Sequence, residues 1–434
     1  MPTDGTHAAR AGSLQGRLAR LGFVDAARAV RLLSDPGLVG LDDAAVDDLG
    51  LAPDPDLALT TLSRVAETRA RGADAFVAAL DSDPVVRERA YAVLGTSAAL
   101  GDHLVRHPED WVVLRGPDPD SDERPVAFAS PESVRADLLR AVRADPAASA
   151  PSAGDAGAAT YAALRSAYRR RLLAIAAADI ADGASFIDVS AALSDLADAT
   201  LEAALAIARA EHPADSAAVR LAVLALGKCG GHELNYISDV DVLFVAEPAD
   251  GVDEVDALRA ATRLAQALMR ACIAPTSEGT IWEVDPNLRP EGKNGALVRT
   301  LASYEGYYLR WASTWEFQAL LKTRPAAGDL ELGRAFVDLV TPLVWSAADR
   351  PNFVEDVQAM RRRVEDNVPA KDADRQLKLG RGGLRDVEFS VQLLQLVHGR
   401  SDVMLHSATT IRALESLATW GNFGRDDASA LATS

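Results

Sequence analysis

Two short apolar runs, LAVLAL at 221–226 and VDVLFVA at 240–246, enclose the polar segment GKCGGHELNYISD at 227–239, and this restricts the fold more than any other feature. Both runs are short, apolar and bounded by Gly or Asn/Ser turn residues, so they read as buried strands. Asp239 and Asp241 stand at i and i+2 where the second run begins. In a strand such residues project from one face, with Cα atoms roughly 7 Å apart at ~3.3 Å per residue. Paired carboxylates without a cation repel, and one of them is driven toward its protonated form. A hard cation held by few carboxylates, and completed by water and phosphate, is the usual Mg²⁺ arrangement, so the pair predicts Mg²⁺ ligated by Asp239 and Asp241. Gly230 and Gly231, followed after seven residues by Asp239, let backbone amides approach phosphate oxygens, and Ser238 adds a hydroxyl. The three make a candidate phosphate cradle; the alternative is an ordinary strand-to-helix turn.

The flanking sequence is helical. Apolar periodicity recurs through residues 13–110, then at 158–180, from Ser190 as an N-cap to 210, and at 253–273. TIWEVD at 280–285 is a candidate third strand, and beyond Tyr304 helices are expected at 302–323, 331–346, 351–366, 383–399 and 407–420. Leu384, Val387, Val391 and Leu394 form a seam that must pack against something. Residues 116–125 read as a polar loop and 144–157 as a flexible linker. The fold class is therefore α+β, mostly helical: a small mixed sheet flanked by an N-terminal helical region and a C-terminal helical bundle. The expected domains are 1–150, 151–325 and 326–434.

A net charge of −18 disfavours broad attraction to nucleic acid or anionic lipid. No apolar run approaches the ~20 residues that span a bilayer, and the first 22 residues lack the apolar core of a signal peptide. Two cysteines, Cys229 and Cys272, cannot make a disulfide framework, so a cytoplasmic protein is expected. Only five of the 45 basic residues are lysines, at 228, 293, 322, 371 and 378, which marks them as candidate positions for a compact ammonium. Lys228 is divided between a phosphate contact and a surface charge. Tyr304, Tyr307, Tyr308, Trp311 and Trp315 form a helical stripe that reads as packed core. Glu388, beside Arg385 and Asp386, reads as an unassigned acid of a structural ion-pair network or a protein-facing surface. Cys229 and His232 read as structural, and no P-loop is present.

An apolar strand, two glycines, seven residues and then an Asp-Val-Asp-Val strand resemble the signature of the nucleotidyltransferase superfamily. That resemblance implies a third carboxylate from a later strand, which Asp285 of WEVDPNLRP supplies, with Arg289 and Lys293 close behind to meet phosphate. It makes Asp239, Asp241 and Asp285 both metal ligands and catalytic residues, and 151–325 the catalytic domain. Lys322 and Arg324 are placed as further cations of the same cleft. Read together, GKCGGHELNYISDVDVLF, VDPNLRPEGKNGALV, the aromatic run ending in LLKTRPAAGD and LKLGRGGLRDVEFSVQLLQLVHG resemble the bifunctional glutamine synthetase adenylyltransferase/adenylyl-removing enzymes. Members of that family carry two such domains in a chain about twice as long. The GGxELN loop, the long lead-in and the GGLRDVEF motif resemble the N-terminal, adenylyl-removing half, and the ending GRDDASALATS suits truncation. The resemblance implies phosphorolysis of adenylyl-tyrosyl glutamine synthetase to ADP. It also implies inorganic phosphate, ADP and AMP as ligands, a C-terminal transferase half and a small nitrogen-signalling regulator as partners. Rival readings are ATP-dependent AMP transfer onto tyrosine by the same fold, and a silent module that binds effectors or tethers the synthetase.

Overall fold

The computed structural model describes residues 14–68, 72–116, 124–366 and 376–433. They fall into two compact units, one of Met1–Val134, Ala162–Ala192 and Ser277–Gly279, the other of Arg135–Tyr161, Leu193–Thr276 and Thr280–Ser434.

The first unit is helical. Its helices Pro55–Glu67, Pro84–Leu94 and Ala98–Arg106 each start on a side-chain cap, from Asp54, Asp83 and Ser97, and the first two also carry proline in the first turn. Caps of this kind satisfy amides that have no partner within the helix. Leu59, Leu62, Phe76, Leu80, Val86 and Leu104 are sealed in its core. The polar loop read at 116–125 lies mostly outside the described residues.

The second unit is built on a five-stranded mixed sheet. The strands are β1 (Val219–Ala225), β2 (Val240–Pro248), β3 (Val284–Asp285), β4 (Val298–Arg299) and β5 (Arg324–Gly328), in the order β3-β2-β1-β5, with β4 also on β2. β1 runs antiparallel to β2 and β5, whereas β3 and β4 run parallel to β2. Alternation sends Ala222, Leu224, Leu243 and Val245 to one face. There they meet Tyr304, Tyr308, Phe317 and Phe336 from the helices Leu301–Arg310, Thr314–Leu320 and Leu330–Trp345. Tyr304 is fully buried and its hydroxyl donates to the Phe244 carbonyl at 3.1 Å. A second, smaller cluster joins Val391 to Leu405, Leu414 and Leu417.

The α+β, mostly helical class holds, with local corrections. TIWEVD contributes only its last two residues to the sheet. Residues 324–328, expected between helices, form β5. The expected helix 302–323 is two helices separated at Trp311, because Ser313 and Glu316 close a capping box that starts a new helix. The aromatic stripe is therefore split, and Trp311 is 76% exposed. Ser190 is not an N-cap: it lies inside the helix Phe186–Glu211, whose first turn is held by Ser185 and Asp188. Residues 144–157 are no flexible linker, since the Ala153 amide donates to Ala206, the Gly154 amide donates to Val142, and Arg209 donates to the Pro151 carbonyl. The seam from Leu384 packs only along its later part, because Leu384 itself is exposed. Among the described residues no helix is long and apolar enough to cross a membrane.

Tyr304→Phe should lower the stability of this unit by about 1 kcal/mol, the usual net contribution of one buried hydrogen bond. Urea unfolding followed by tyrosine and tryptophan fluorescence checks it, and an unchanged midpoint contradicts it.

Candidate active site

The site begins where β1 ends. The chain turns at Gly227, with φ +54°, into a single helical turn at Gly227–Gly230. The Leu226 amide donates to the Asp241 carbonyl at 2.9 Å, which fixes this turn beside the start of β2. A Cβ on Gly227 would lie 2.2 Å from Asp241 Oδ2, so the missing side chain is what admits the carboxylate. Parallel pairing of β2 and β3 places Asp241 level with Asp285, and Val240 with Val284. Asp285 Oδ1 accepts the Asn287 amide at 2.7 Å, and Asp239 stands exposed immediately before β2.

Burial pushes the Asp241 carboxyl up to about 6, with the negative charges of Asp239 and Asp285 adding to the rise and Arg385 and Lys378 opposing it. Like-charge repulsion from two neighbouring carboxylates thus adds to the effect of burial. All three carboxylates are hard oxygen donors, so the residues fit Mg²⁺. Their donor atoms are not drawn into one tight set: among the described residues the group within 4.8 Å of one another is a different one, His103, His107 and Glu278.

Asp239 and Asp241 open into a cleft of about 200 Å³, together with Gly227, Lys228, Ser238 and Lys322. Lys378, Arg385 and Glu388 line it as well. Burial and the nearby Lys378 ammonium hold the partly buried Lys228 below the usual lysine range. Lys322 is deeper. Its ammonium donates to Glu233 Oε2 and Glu388 Oε1, both at 2.8 Å, and to Thr410 Oγ1 at 3.0 Å. Burial opposes that charge, but Glu388 and Glu233 outweigh it and hold the ammonium above its usual range. The ion-pair reading of Glu388 is met here.

The structure thus gathers Asp239, Asp241, Ser238, Lys228 and Lys322 at one cleft, with Asp285 beside Asp241. Other residues expected there stand elsewhere. Gly230 and Gly231 are buried spacers: a Cβ on Gly230 would lie 2.1 Å from the Lys322 carbonyl, and one on Gly231 2.8 Å from the Ala408 carbonyl. Arg289 is buried and donates to the carbonyls of Pro286 at 2.9 Å and Gly295 at 3.1 Å, so it shapes the loop after Asp285. Lys293 is exposed in the turn Gly292–Asn294 and does not line the cleft. Arg324 forks onto Asp198 and donates to the Cys229 carbonyl at 2.9 Å. Gly227, Lys378 and Arg385 were not singled out from the sequence as site residues, although the scarcity of lysine pointed at Lys378. Lys371 lies outside the described residues. Cys229 and Cys272 are both buried.

Fold and cleft together define a mostly helical α+β protein whose small mixed sheet carries acidic residues beside a basic cleft. Residues 88–338 match the model of the glutamate-ammonia ligase adenylyltransferase family, and the chain belongs to that family. Residues 358–434 match a second model, GlnD PII-uridylyltransferase. Curated relatives named bifunctional glutamine synthetase adenylyltransferase/adenylyl-removing enzyme include those of Streptomyces avermitilis, 52% identical, and Streptomyces coelicolor, 53% identical. The relative from Mycobacterium avium is 48% identical. Each alignment covers 96% of this chain and 40% of the relative, so the chain spans about two fifths of the length of these relatives.

A pH-dependent stability follows from Asp241. Its carboxyl holds a proton more tightly folded, near 6, than at its ordinary 3.8. The associated stability is complete below about pH 4 and is lost as pH rises through 6, by up to about 3 kcal/mol. In chelator, Asp241→Asn should therefore melt higher than wild type at pH 8 and equal to it near pH 3.5. Equal melting at pH 8 contradicts this.

Proposed function

We propose that this chain removes AMP from adenylyl-tyrosyl glutamine synthetase by phosphorolysis, with Mg²⁺ held by Asp239, Asp241 and Asp285. The observation that carries the reading is the level pairing of Asp241 with Asp285 next to a cleft lined by Lys228, Lys378 and Arg385. The names of the curated relatives support the synthetase as substrate. The form of the GGHELN loop favours the removing direction, and three cations around a cleft of about 200 Å³ suit inorganic phosphate as nucleophile.

In this reading an oxygen of inorganic phosphate attacks the AMP phosphorus and the bond from phosphorus to the tyrosyl oxygen breaks. That oxygen takes a proton, and ADP and free tyrosine leave. Lys228, Lys378 and Arg385 bind and orient the incoming phosphate, the guanidinium through a planar fork and the ammonium groups as point charges. Asp239, Asp241 and Asp285 would hold the Mg²⁺, which would supply charge neutralisation for the phosphoryl groups. Ser238 adds a hydroxyl donor at the cleft edge. Lys322, already satisfied by Glu233, Glu388 and Thr410, keeps the wall of the cleft in place. Gly227 keeps the Asp241 carboxylate in reach. The match of residues 358–434 to the uridylyltransferase model supports a nitrogen-signalling protein as regulator, and the length of the relatives supports a transferase half as the missing partner, all in the cytoplasm.

The test incubates the chain with adenylylated glutamine synthetase, Mg²⁺ and phosphate, and follows ADP and loss of AMP by mass spectrometry. Phosphate-dependent ADP release, reduced to background in the folded variants Asp239→Asn and Asp241→Asn, is the expected result. Robust modification of unmodified synthetase by ATP, with no ADP from the modified form, would establish the transferase direction instead.

A further inference from the structure

A second set of donor side chains lies wholly within the helical unit and has no part in the proposed reaction. The helix Ala98–Arg106 carries His103 in its last turn, and its C-cap is His107, so the two imidazoles stand four residues apart on neighbouring turns. Their ring centroids are 5.0 Å apart. The turn Ser277–Gly279, which belongs to the same unit, brings Glu278 to them. The nearest pair is His107 Nε2 and Glu278 Oε1 at 3.1 Å, and one donor atom from each of the three residues lies within 4.8 Å of the others.

The hydrogen bonding is what turns this cluster toward a ligand. His103 is completely buried. Its Nε2 meets Asp110 Oδ2 at 2.9 Å, and Arg170 Nε lies 3.1 Å from the other carboxylate oxygen, Oδ1. A carboxylate accepts here, so Nε2 carries the hydrogen and Nδ1 is the nitrogen left to face a ligand. His103 Nδ1 is buried with no hydrogen-bond partner, and the buried His107 Nε2 has none either despite its approach to Glu278. Buried polar atoms left unsatisfied are costly, and a ligand that pairs with them removes that cost. A carboxylate behind a histidine, fixing its tautomer so that the opposite nitrogen faces inward, is the outer shell that metal-bound histidines use. Ligands of a tetrahedral ion at ~2 Å would stand roughly 3.3 Å apart, close to the observed separation of the nearest pair.

We propose that His103, His107 and Glu278 bind a divalent transition metal of the zinc class through two imidazole nitrogens and one carboxylate oxygen. The site fastens the Ser277–Gly279 turn to the end of the helix. Arg106 and Arg169 approach the other carboxylate oxygen, Oε2, at 3.5 and 4.0 Å, leaving Oε1 to the imidazoles. Two neutral imidazoles and one carboxylate favour zinc over Mg²⁺, which prefers an all-oxygen shell. His107, only partly buried, gives solvent and the ion a way in.

The test titrates the chelator-treated chain with Zn²⁺ and with Co²⁺ as a spectroscopic probe, in an Asp239→Asn/Asp241→Asn background that removes binding at the cleft. One equivalent of Zn²⁺, a tetrahedral Co²⁺ spectrum and a higher melting temperature with metal are expected. His107→Gln and Glu278→Gln should abolish all three while keeping the circular dichroism of the parent. Asp110→Asn, acting only through the orientation of His103, should weaken binding about 10–100-fold. No bound equivalent, or one retained in both His107→Gln and Glu278→Gln, overturns the proposal.

Discussion

The cleft depends on one buried ammonium. Lys322 stands at the end of the segment leading into β5 and reaches Glu233 in the loop after β1, Glu388 in the helix Leu384–His398 and Thr410 at the start of the helix Thr410–Thr419. Segments as far as 177 positions apart in the chain, those of Glu233 and Thr410, meet on one side chain. A buried charge is tolerable only when its hydrogen bonds are all used, and removing one partner leaves the others uncompensated. The arrangement is therefore all or none: the loop carrying Glu233 is seated only when both helices are. The backbone follows the same demand, because the Lys322 carbonyl occupies the space that a side chain on Gly230 would need.

That network sets the stage for a cleft that holds both signs of charge. Asp239 and Asp241 share the cleft with Lys228, Lys378 and Arg385, and Asp285 is paired with Asp241. The acids lie at the ends of short strands whose pairing is fixed by apolar neighbours such as Val240, Val242 and Val284, all buried. Hydrophobic burial thus holds carboxylates together against their mutual repulsion, and the displaced acidity of Asp241 records the cost. In the proposed reading a cation held by these carboxylates would relieve a repulsion already present in the fold.

The strands β1 and β2 were legible because they are rich in Val, Leu and Phe and bounded by turn residues. β5 was not, since Arg-Pro-Ala-Ala-Gly has no β-branched residue and takes its strand form from antiparallel pairing with β1. The break at Trp311 was hidden by an aromatic periodicity that continued across it, and only the Ser313–Glu316 spacing signalled a new start. At the site, the paired aspartates could be read from the i, i+2 spacing. The roles of the glycines could not, because the atoms that exclude a Cβ, those of Lys322 and Ala408, lie about 90 and 180 positions further along the chain and reach the loop only through tertiary packing. Lysine scarcity carried real information: Lys228, Lys322 and Lys378 all line the cleft, whereas Lys293 does not.

Phosphoryl transfer through such a site has no built-in direction. Carboxylates and cations that stabilise charge between an AMP phosphorus and one oxygen stabilise the same arrangement when the reaction runs in reverse. Direction is set by which nucleophile can occupy the place opposite the leaving oxygen. Inorganic phosphate brings about two negative charges and needs cations where it enters. Under the proposed phosphorolysis Lys228, Lys378 and Arg385 are the cations that meet the incoming phosphate, and the acidic strands are the part of the machinery that either direction would share.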